Sequence, residues 1–396
     1  MPNPLLQSDF NRRANIYRQA LDTELTFGPL GGTAEVVDAL AGNDVITNER
    51  LPYAGQMGVP HSGFAIEIYN GHSLLLGNGN DTVSARGLTS GLVLSHLAAQ
   101  LDAGPGNDTV IGLADANAFG FASIGVNVES EARLQLGSGN DVLTAQGADY
   151  GLLMANNPFF RFVDQARSLL DAGSGNDRLE AVGGEAGVGL LKADLITGVG
   201  NDQVQVSGEE YGAWIDEGSS ILLGSGNDRF VTTGQRFGMY IIGGSHLDAG
   251  AGKDVLIASG DQVRGYSLRL ETGSTILMGE GKDTVDALTG FFSCDDNSWV
   301  DLGGGNDTFK GFGDGIVRGG VGRDRLVLAD GIYTVSVADA ALNPLPAGFS
   351  GLQIEQGGTK LFVESMELVA GTADRQGVNL TTGILNIVGG EAVVFA

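Results

Sequence analysis

One five-residue string recurs along this chain and restricts its fold more than any other feature. Gly-x-Gly-Asn-Asp ends at Asp81, Asp108, Asp141, Asp177, Asp202, Asp228 and Asp307, with second glycines Gly79, Gly106, Gly139, Gly175, Gly200, Gly226 and Gly305. Gly42-Asn43-Asp44 carries Leu40 where the first glycine would stand. Gly252-Lys253-Asp254, Gly281-Lys282-Asp283 and Gly320-Val321-Gly322-Arg323-Asp324 keep the glycines and replace Asn by a cation. Successive aspartates lie 37, 27, 33, 36, 25, 26, 26, 29, 24 and 17 residues apart, so the unit is near 25 residues and often carries an insertion. A repeat of this length is one supersecondary unit that buries its apolar face only by stacking on its neighbours.

The residues around the string hold a tight register. Three places before the first glycine stands Leu74, Leu101, Leu134, Leu170, Leu195, Ile221, Leu247, Ile276, Val300 or Val317. Two places after the Asp stands Ile46, Val83, Val110, Leu143, Leu179, Val204, Phe230, Leu256, Val285, Phe309 or Leu326. A small residue often follows two places on, as at Ala85, Ala145, Ala181, Ala258 and Ala287. This period of two marks half-buried strands. An aromatic-Gly pair recurs farther along, at Tyr150-Gly151, Tyr211-Gly212 and Phe237-Gly238. Each unit therefore holds about three short strands. Helical repeats are excluded, because glycine is too frequent and no 3.6-residue period appears. The expected fold is all-β, a right-handed parallel β-solenoid of about ten coils at about 4.8 Å per coil.

The ends read as caps. Residues 8 to 25 present Phe10, Ala14, Tyr17 and Leu21 as one stripe behind Ser8 or Asp9, which predicts a capping helix. After residue 330 the string is lost; Tyr333, Val335 and Val337 alternate, and Leu352 to Val363 reads as a hairpin about Gly357-Gly358. The expected organisation is an N-terminal helix and lead-in over 1–37, the solenoid over 38–330, and a C-terminal β cap over 331–396.

Composition narrows the function. The net charge of −26 argues against a nucleic-acid partner, because phosphate binding needs clustered Lys and Arg. It fits plain solubility or a large cation load. The single cysteine, Cys294, permits no intrachain disulfide, which leaves metal as the natural staple. No apolar run approaches the roughly 18 residues needed to span a membrane. The N-terminal residues lack the basic and apolar regions of a cleaved secretory signal.

With Gly319 before it and Leu326 after it, the Asp324 string fits the pattern G-G-x-G-x-D-x-U-x at every fixed position. The chain thus resembles the RTX, or hemolysin-type, repeat family over residues 38 to 330. The resemblance implies several bound Ca²⁺ ions. It implies as ligands the side chains of Asp44, Asp81, Asp108, Asp141, Asp177, Asp202, Asp228, Asp254, Asp283, Asp307 and Asp324. It adds the glycine-turn carbonyls at Gly79, Gly106, Gly139, Gly175, Gly200, Gly226, Gly252, Gly281, Gly305, Gly320 and Gly322. The residue types suit that role, since calcium takes six to eight oxygen ligands and glycine lets a turn aim carbonyls inward. Lys253, Lys282 and Arg323 occupy the variable middle position and are free to point outward. Family members often carry the nonapeptide in direct tandem; here only Asp307 to Asp324 approaches that spacing, which implies one calcium edge rather than two. The resemblance also implies export directed by the C-terminal end, and so an extracellular protein.

Blander and rival readings stand beside this one. Gly-x-Gly-Asn-Asp is also good turn chemistry, with Asn and Asp hydrogen-bonding along the stack. The aromatic-Gly pairs read as a packed stack before a ligand platform. The four histidines share no motif register, and no Gly-x-Ser-x-Gly elbow is present. Two insertions are rich in aromatics, residues 155–167, which contain Pro158 to Phe162, and residues 291–299, from Phe291 to Trp299; they either bind sugar or fold back over the solenoid. The leading function is a non-catalytic calcium-binding protein, with no catalytic residue assigned. The alternative is a β-helix lyase or epimerase acting on extracellular polysaccharide, for which Asp295, Asp296, Lys282 and Arg264 are the only candidates. An ice-binding solenoid needs a repeated Thr face, and no Thr column holds register.

Overall fold

The structure, a computed structural model, describes residues 16–20, 25–27, 36–39, 41–49, 64–69, 71–95, 98–115, 122–129, 131–155, 166–261, 263–295, 297–338, 345 and 349–395. The chain divides into two compact units, residues 1–210 and 211–396. Each is a stack of parallel strands, coil upon coil, and so a parallel β-solenoid.

In the first unit one coil runs through Thr82–Gly87, Ser90–Ser95 and Gln100–Asp102, turns through Gly104 to Asp108, and re-enters at Thr109–Ala114. Each strand pairs in parallel with its counterpart one repeat away. Thr82–Gly87 pairs with Thr109–Ala114, Ser90–Ser95 with Ile124–Glu129, and Gln100–Asp102 with Arg133–Gln135. The register places equivalent residues on top of one another. Leu74, Leu101, Leu134, Leu170 and Leu195 form one buried column. Val83, Val110, Leu143, Leu179 and Val204 form another. These are the positions the period of two picks out, and full burial of each such side chain contributes ~1.5–3 kcal/mol.

The second unit repeats the plan. Arg229–Gly234, Phe237–Ile241 and His246–Asp248 precede the turn through Gly250 to Asp254, and the next coil starts at Val255–Ser259. Phe230, Leu256, Val285, Phe309 and Leu326 stack in register inside it. So do Ile221, Leu247, Ile276, Val300 and Val317. The aromatic-Gly positions build a stack here: the Tyr211 ring centre lies 5.2 Å from that of Phe237, and Phe237 lies 5.6 Å from Tyr266, with the ring planes nearly parallel. Because each ring covers the next, their faces serve packing.

The N-terminal helix is a correction. Ile16–Ala20 is a strand paired in parallel with Val45–Glu49, and Leu25–Phe27 pairs with Phe64–Tyr69. The rest of the expected helix lies outside the described residues. The reason is tertiary: an uncovered edge strand offers a row of backbone donors and acceptors, and pairing with it outweighs a weak local helix preference. Among the described residues no helix is long and apolar enough to cross a membrane.

The C-terminal segment covers the last coil of the second unit. Thr359–Glu364 adds in parallel to Gly313–Arg318, and Leu368–Gly371 adds to Arg325–Leu328. The expected hairpin is present: Leu352–Gln356 runs antiparallel to Thr359–Glu364 about Gly357 and Gly358, both with positive φ. Gly331–Val337 and Gly383–Val388 extend this antiparallel sheet, and Glu391–Phe395 is its last strand.

Candidate metal centre: the aspartate column

The motif turn needs glycine for a local and a stacking reason. Gly104 and Gly106 sit at φ +87° and +156°, where a side chain is strained. A Cβ on Gly106 would also lie 1.4 Å from the carbonyl oxygen of Gly79 in the coil before. The same contact recurs from Gly175 to Gly200 and from Gly226 to Gly252. The second-glycine carbonyls therefore form a column along the turn edge within each unit, and every predicted ligand glycine except Gly320 falls on it. Gly320 is a first glycine; its carbonyl belongs to the neighbouring turn position.

The aspartates of the turns form a hydrogen-bonded ladder. In the first unit the backbone amides of Asp44, Asp81, Asp108, Asp141 and Asp177 each donate to Oδ1 of the next motif Asp, at 2.6–2.8 Å, ending on Asp202. In the second unit Asp228, Asp254, Asp283 and Asp307 donate in the same way, ending on Asp324. All eleven motif carboxylates are buried. The asparagines run the opposite way: Asn80, Asn107, Asn140, Asn176 and Asn201 donate their amides to the Oδ1 of the Asn one coil earlier. Each turn is thus tied to both neighbours by two ladders of opposite polarity. Lys253, Lys282 and Arg323 are exposed. The Lys253 amide still donates to Asn227 Oδ1 at 3.0 Å, but its side chain offers no acceptor to the next turn, and the Lys282 amide donates instead to the Gly252 carbonyl, at 3.3 Å.

The second carboxylate oxygen has no such use. Oδ2 of Asp81, Asp108, Asp141, Asp177, Asp254, Asp283, Asp307 and Asp324 is buried without a hydrogen-bond partner. Buried polar groups are nearly always satisfied, and an orphaned carboxylate oxygen costs free energy. The electrostatics carry the same sign. Burial, then the neighbouring carboxylates, push Asp108, Asp177 and Asp283 up to about 7, against the pull of the backbone amide. Burial pushes Asp81, Asp141, Asp254 and Asp324 up to about 6.

The donor set is all oxygen. Among the described residues no three His, Cys, Asp or Glu side chains converge as a metal cluster, so an ion on this column would take carboxylates from adjacent turns and the rest from backbone carbonyls. Hard oxygen donors of this kind suit calcium, and sulfur- or imidazole-seeking metals find nothing here.

The rival candidates fare differently. Asp295 is spent on structural bonds: its carboxylate takes the Ser298 hydroxyl of its own turn and the Thr272 amide 23 residues earlier, in the neighbouring coil. Lys282 occupies a motif turn and Arg264 an exposed loop, while Asp296 and the Pro158 to Phe162 insertion lie outside the described residues. Phe291 is half-exposed, Phe292 is buried, and Trp299 is covered by Arg318 at 4.9 Å. Sequence reasoning missed the end of the ladder. The Asp324 amide donates to Glu367 Oε2 at 2.7 Å, and the only local signal is the acid-x-apolar spacing of Glu367-Leu368-Val369.

No protein-family model matches this chain, and no curated protein matches it by sequence. Among solved structures the chain is similar to a hyperactive, Ca²⁺-dependent, β-helical antifreeze protein from an Antarctic bacterium. The identity is 18%, the TM-score 0.41, and the match covers 82% of this chain and 80% of that one. The fold assignment rests on the strand registers given above and not on this likeness. Two outward columns of the motif sheet in the first unit read Val45, Thr82, Thr109, Val142, Arg178, Gln203 and Thr47, Ser84, Ile111, Thr144, Glu180, Gln205, and neither is a threonine ladder.

Proposed function

We propose that this chain is a calcium-binding β-solenoid of RTX type, non-catalytic in itself, whose folding is coupled to the ions held along its aspartate column. The observation that carries the reading is the orphaned oxygen: motif aspartates in both units are buried, bonded through Oδ1 and left open at Oδ2. Turn chemistry alone explains Oδ1. It does not explain why a buried stack keeps a carboxylate where an asparagine would offer the same Oδ1 acceptor without the charge, as the neighbouring Asn ladder does on the exposed side.

Calcium meets the requirement because it accepts many oxygens in flexible geometry, whereas magnesium demands a near-ideal octahedron and dehydrates reluctantly. Binding free energy then becomes folding free energy. The same coupling supports an extracellular site of action. Where calcium is scarce the carboxylates repel and the stack is weakened; where it is plentiful the stack locks. Calorimetric titration of the full chain with CaCl₂ and with MgCl₂, beside melting curves in chelator, tests the proposal. Multi-ion calcium uptake with a raised melting point supports it, and a melting point indifferent to calcium and chelator leaves only the turn chemistry.

A further inference from the structure

The ladder of the second unit does not end on an aspartate. Beyond Asp324 no further Gly-x-Gly-x-Asp occurs, yet the cap continues the ladder with a different residue. Glu367 Oε2 takes the Asp324 amide, as each motif Asp takes the amide before it. The Leu368 amide donates to the Asp324 carbonyl at 2.9 Å, as the Arg325 amide donates to the Asp307 carbonyl at 2.9 Å. Arg325 pairs with Leu368 and Leu326 with Val369. Glu367 therefore stands in the register position of one more motif acid, supplied by a segment that has no glycine turn.

Gly319 provides a second, independent observation. In the two preceding coils the residue before the first motif glycine is a buried side chain, Met278 and Leu302. At 319 a Cβ would lie 1.9 Å from the Ser365 carbonyl oxygen and 2.7 Å from Asp324 Oδ2. The cap thus directs a carbonyl into the space a side chain fills elsewhere, and that space is also faced by the unpartnered oxygen of a fully buried aspartate. Ser365 reaches there at φ +52°, a left-handed conformation that is strained for a non-glycine residue. Two oxygens aimed at one small space repel unless a cation or proton lies between them.

We infer that Asp324 Oδ2, the Ser365 carbonyl and the Glu367 carboxylate form a terminal divalent-cation site that closes the column against the C-terminal cap. The inference rests on the calcium reading above and extends it to residues outside the repeats. Glutamate suits the position because its extra methylene lets a carboxylate reach the column from a strand that lacks the motif turn. The site would fasten the cap to the last coil through an ion as well as through backbone pairing.

The test uses the full chain and calcium itself as the probe, counting bound ions by equilibrium dialysis and calorimetry. Glu367→Gln keeps an acceptor for the Asp324 amide and removes only the charge. It should bind one calcium fewer per chain, or bind that ion at least tenfold more weakly, with a smaller rise in melting point on calcium saturation. Gly319→Ala keeps every carboxylate and fills the shared space, and should lose the same ion. Wild-type protein that takes up no calcium would overturn the calcium reading itself. Wild-type uptake with an unchanged count and affinity in both variants would leave that reading standing and reduce Glu367 to a hydrogen-bonding cap. If Glu367→Gln does not fold, an unchanged count in Gly319→Ala alone overturns the site.

Discussion

Asp283 takes the backbone amide of Asp254 on Oδ1 at 2.8 Å, and its Oδ2, equally buried, takes nothing. The two oxygens of one carboxylate therefore do different work. One holds adjacent turns together; the other is a buried cost that a bound cation would relieve.

Asp283→Asn separates these roles, because an amide retains the Oδ1 acceptor and removes the charge. In chelator at pH 8 the variant should be more stable than wild type by about 1 kcal/mol, the scale of a like-charge contact at a few ångströms in water. In saturating calcium the order should invert, since the ions beside Asp283 lose a ligand. Chemical denaturation of both proteins with and without calcium checks the sign change; the same sign in both conditions contradicts a metal role.

The pH dependence follows from the raised carboxyls. Asp81, Asp141, Asp254 and Asp324 stand near 6 and Asp108, Asp177 and Asp283 near 7 in the folded chain, against about 3.9 when unfolded. A folded pKa above the unfolded one contributes stability that is fully present below about pH 4 and is lost as pH rises through 6 to 7. The chelated protein should therefore melt higher at pH 5 than at pH 8. Calcium competes with those protons, so the calcium-loaded protein should show the opposite order. Melting curves at the two pH values, with chelator and with calcium, check both.

Magnesium should not substitute for calcium. At a free concentration a hundredfold above its dissociation constant, each calcium site adds ~2.7 kcal/mol to the folded state, and several sites together should move the melting point by tens of degrees. Magnesium at equal concentration should move it little. Equal shifts with both ions would point to simple charge screening of a chain of net charge −26.

Asn140→Ala tests the second ladder. Asn140 Oδ1 takes the Asn176 amide at 2.7 Å on the exposed side of the turn, so its loss should cost ~0.5–1 kcal/mol, with water replacing the acceptor. The number of bound calcium ions should not change. Denaturation and dialysis on the same preparation separate the two effects.

Leu134→Ala should cost far more. Leu134 is wholly buried between Leu101 and Leu170, and truncating such a side chain leaves a cavity worth ~2–5 kcal/mol. Equilibrium unfolding in calcium gives the value.

The sequence by itself determined the repeat, its inward columns and the positive-φ glycine turns, because these depend on period-two alternation and on turn residues a few places apart. Leu101, Leu134 and Leu170 are recognisable in a single repeat, and register only confirms that they meet. It also marked every motif aspartate, although the opposite ladders of Asp and Asn needed three dimensions. Each of those hydrogen bonds joins residues 17 to 37 places apart, and its direction is set by which neighbouring coil a carboxylate faces. The N-terminal segment shows the limit in the other direction. Tyr17 and its neighbours carry a helical stripe, but the free edge of Val45–Glu49 offers backbone pairing that no local propensity anticipates. Glu367 shows it again at the far end. Nothing near it in sequence resembles the motif turn, and only the pairing of Leu326 with Val369 brings its carboxylate to the Asp324 amide. Local chemistry specifies what each coil is made of; the stacking of one coil on the next specifies what each oxygen faces.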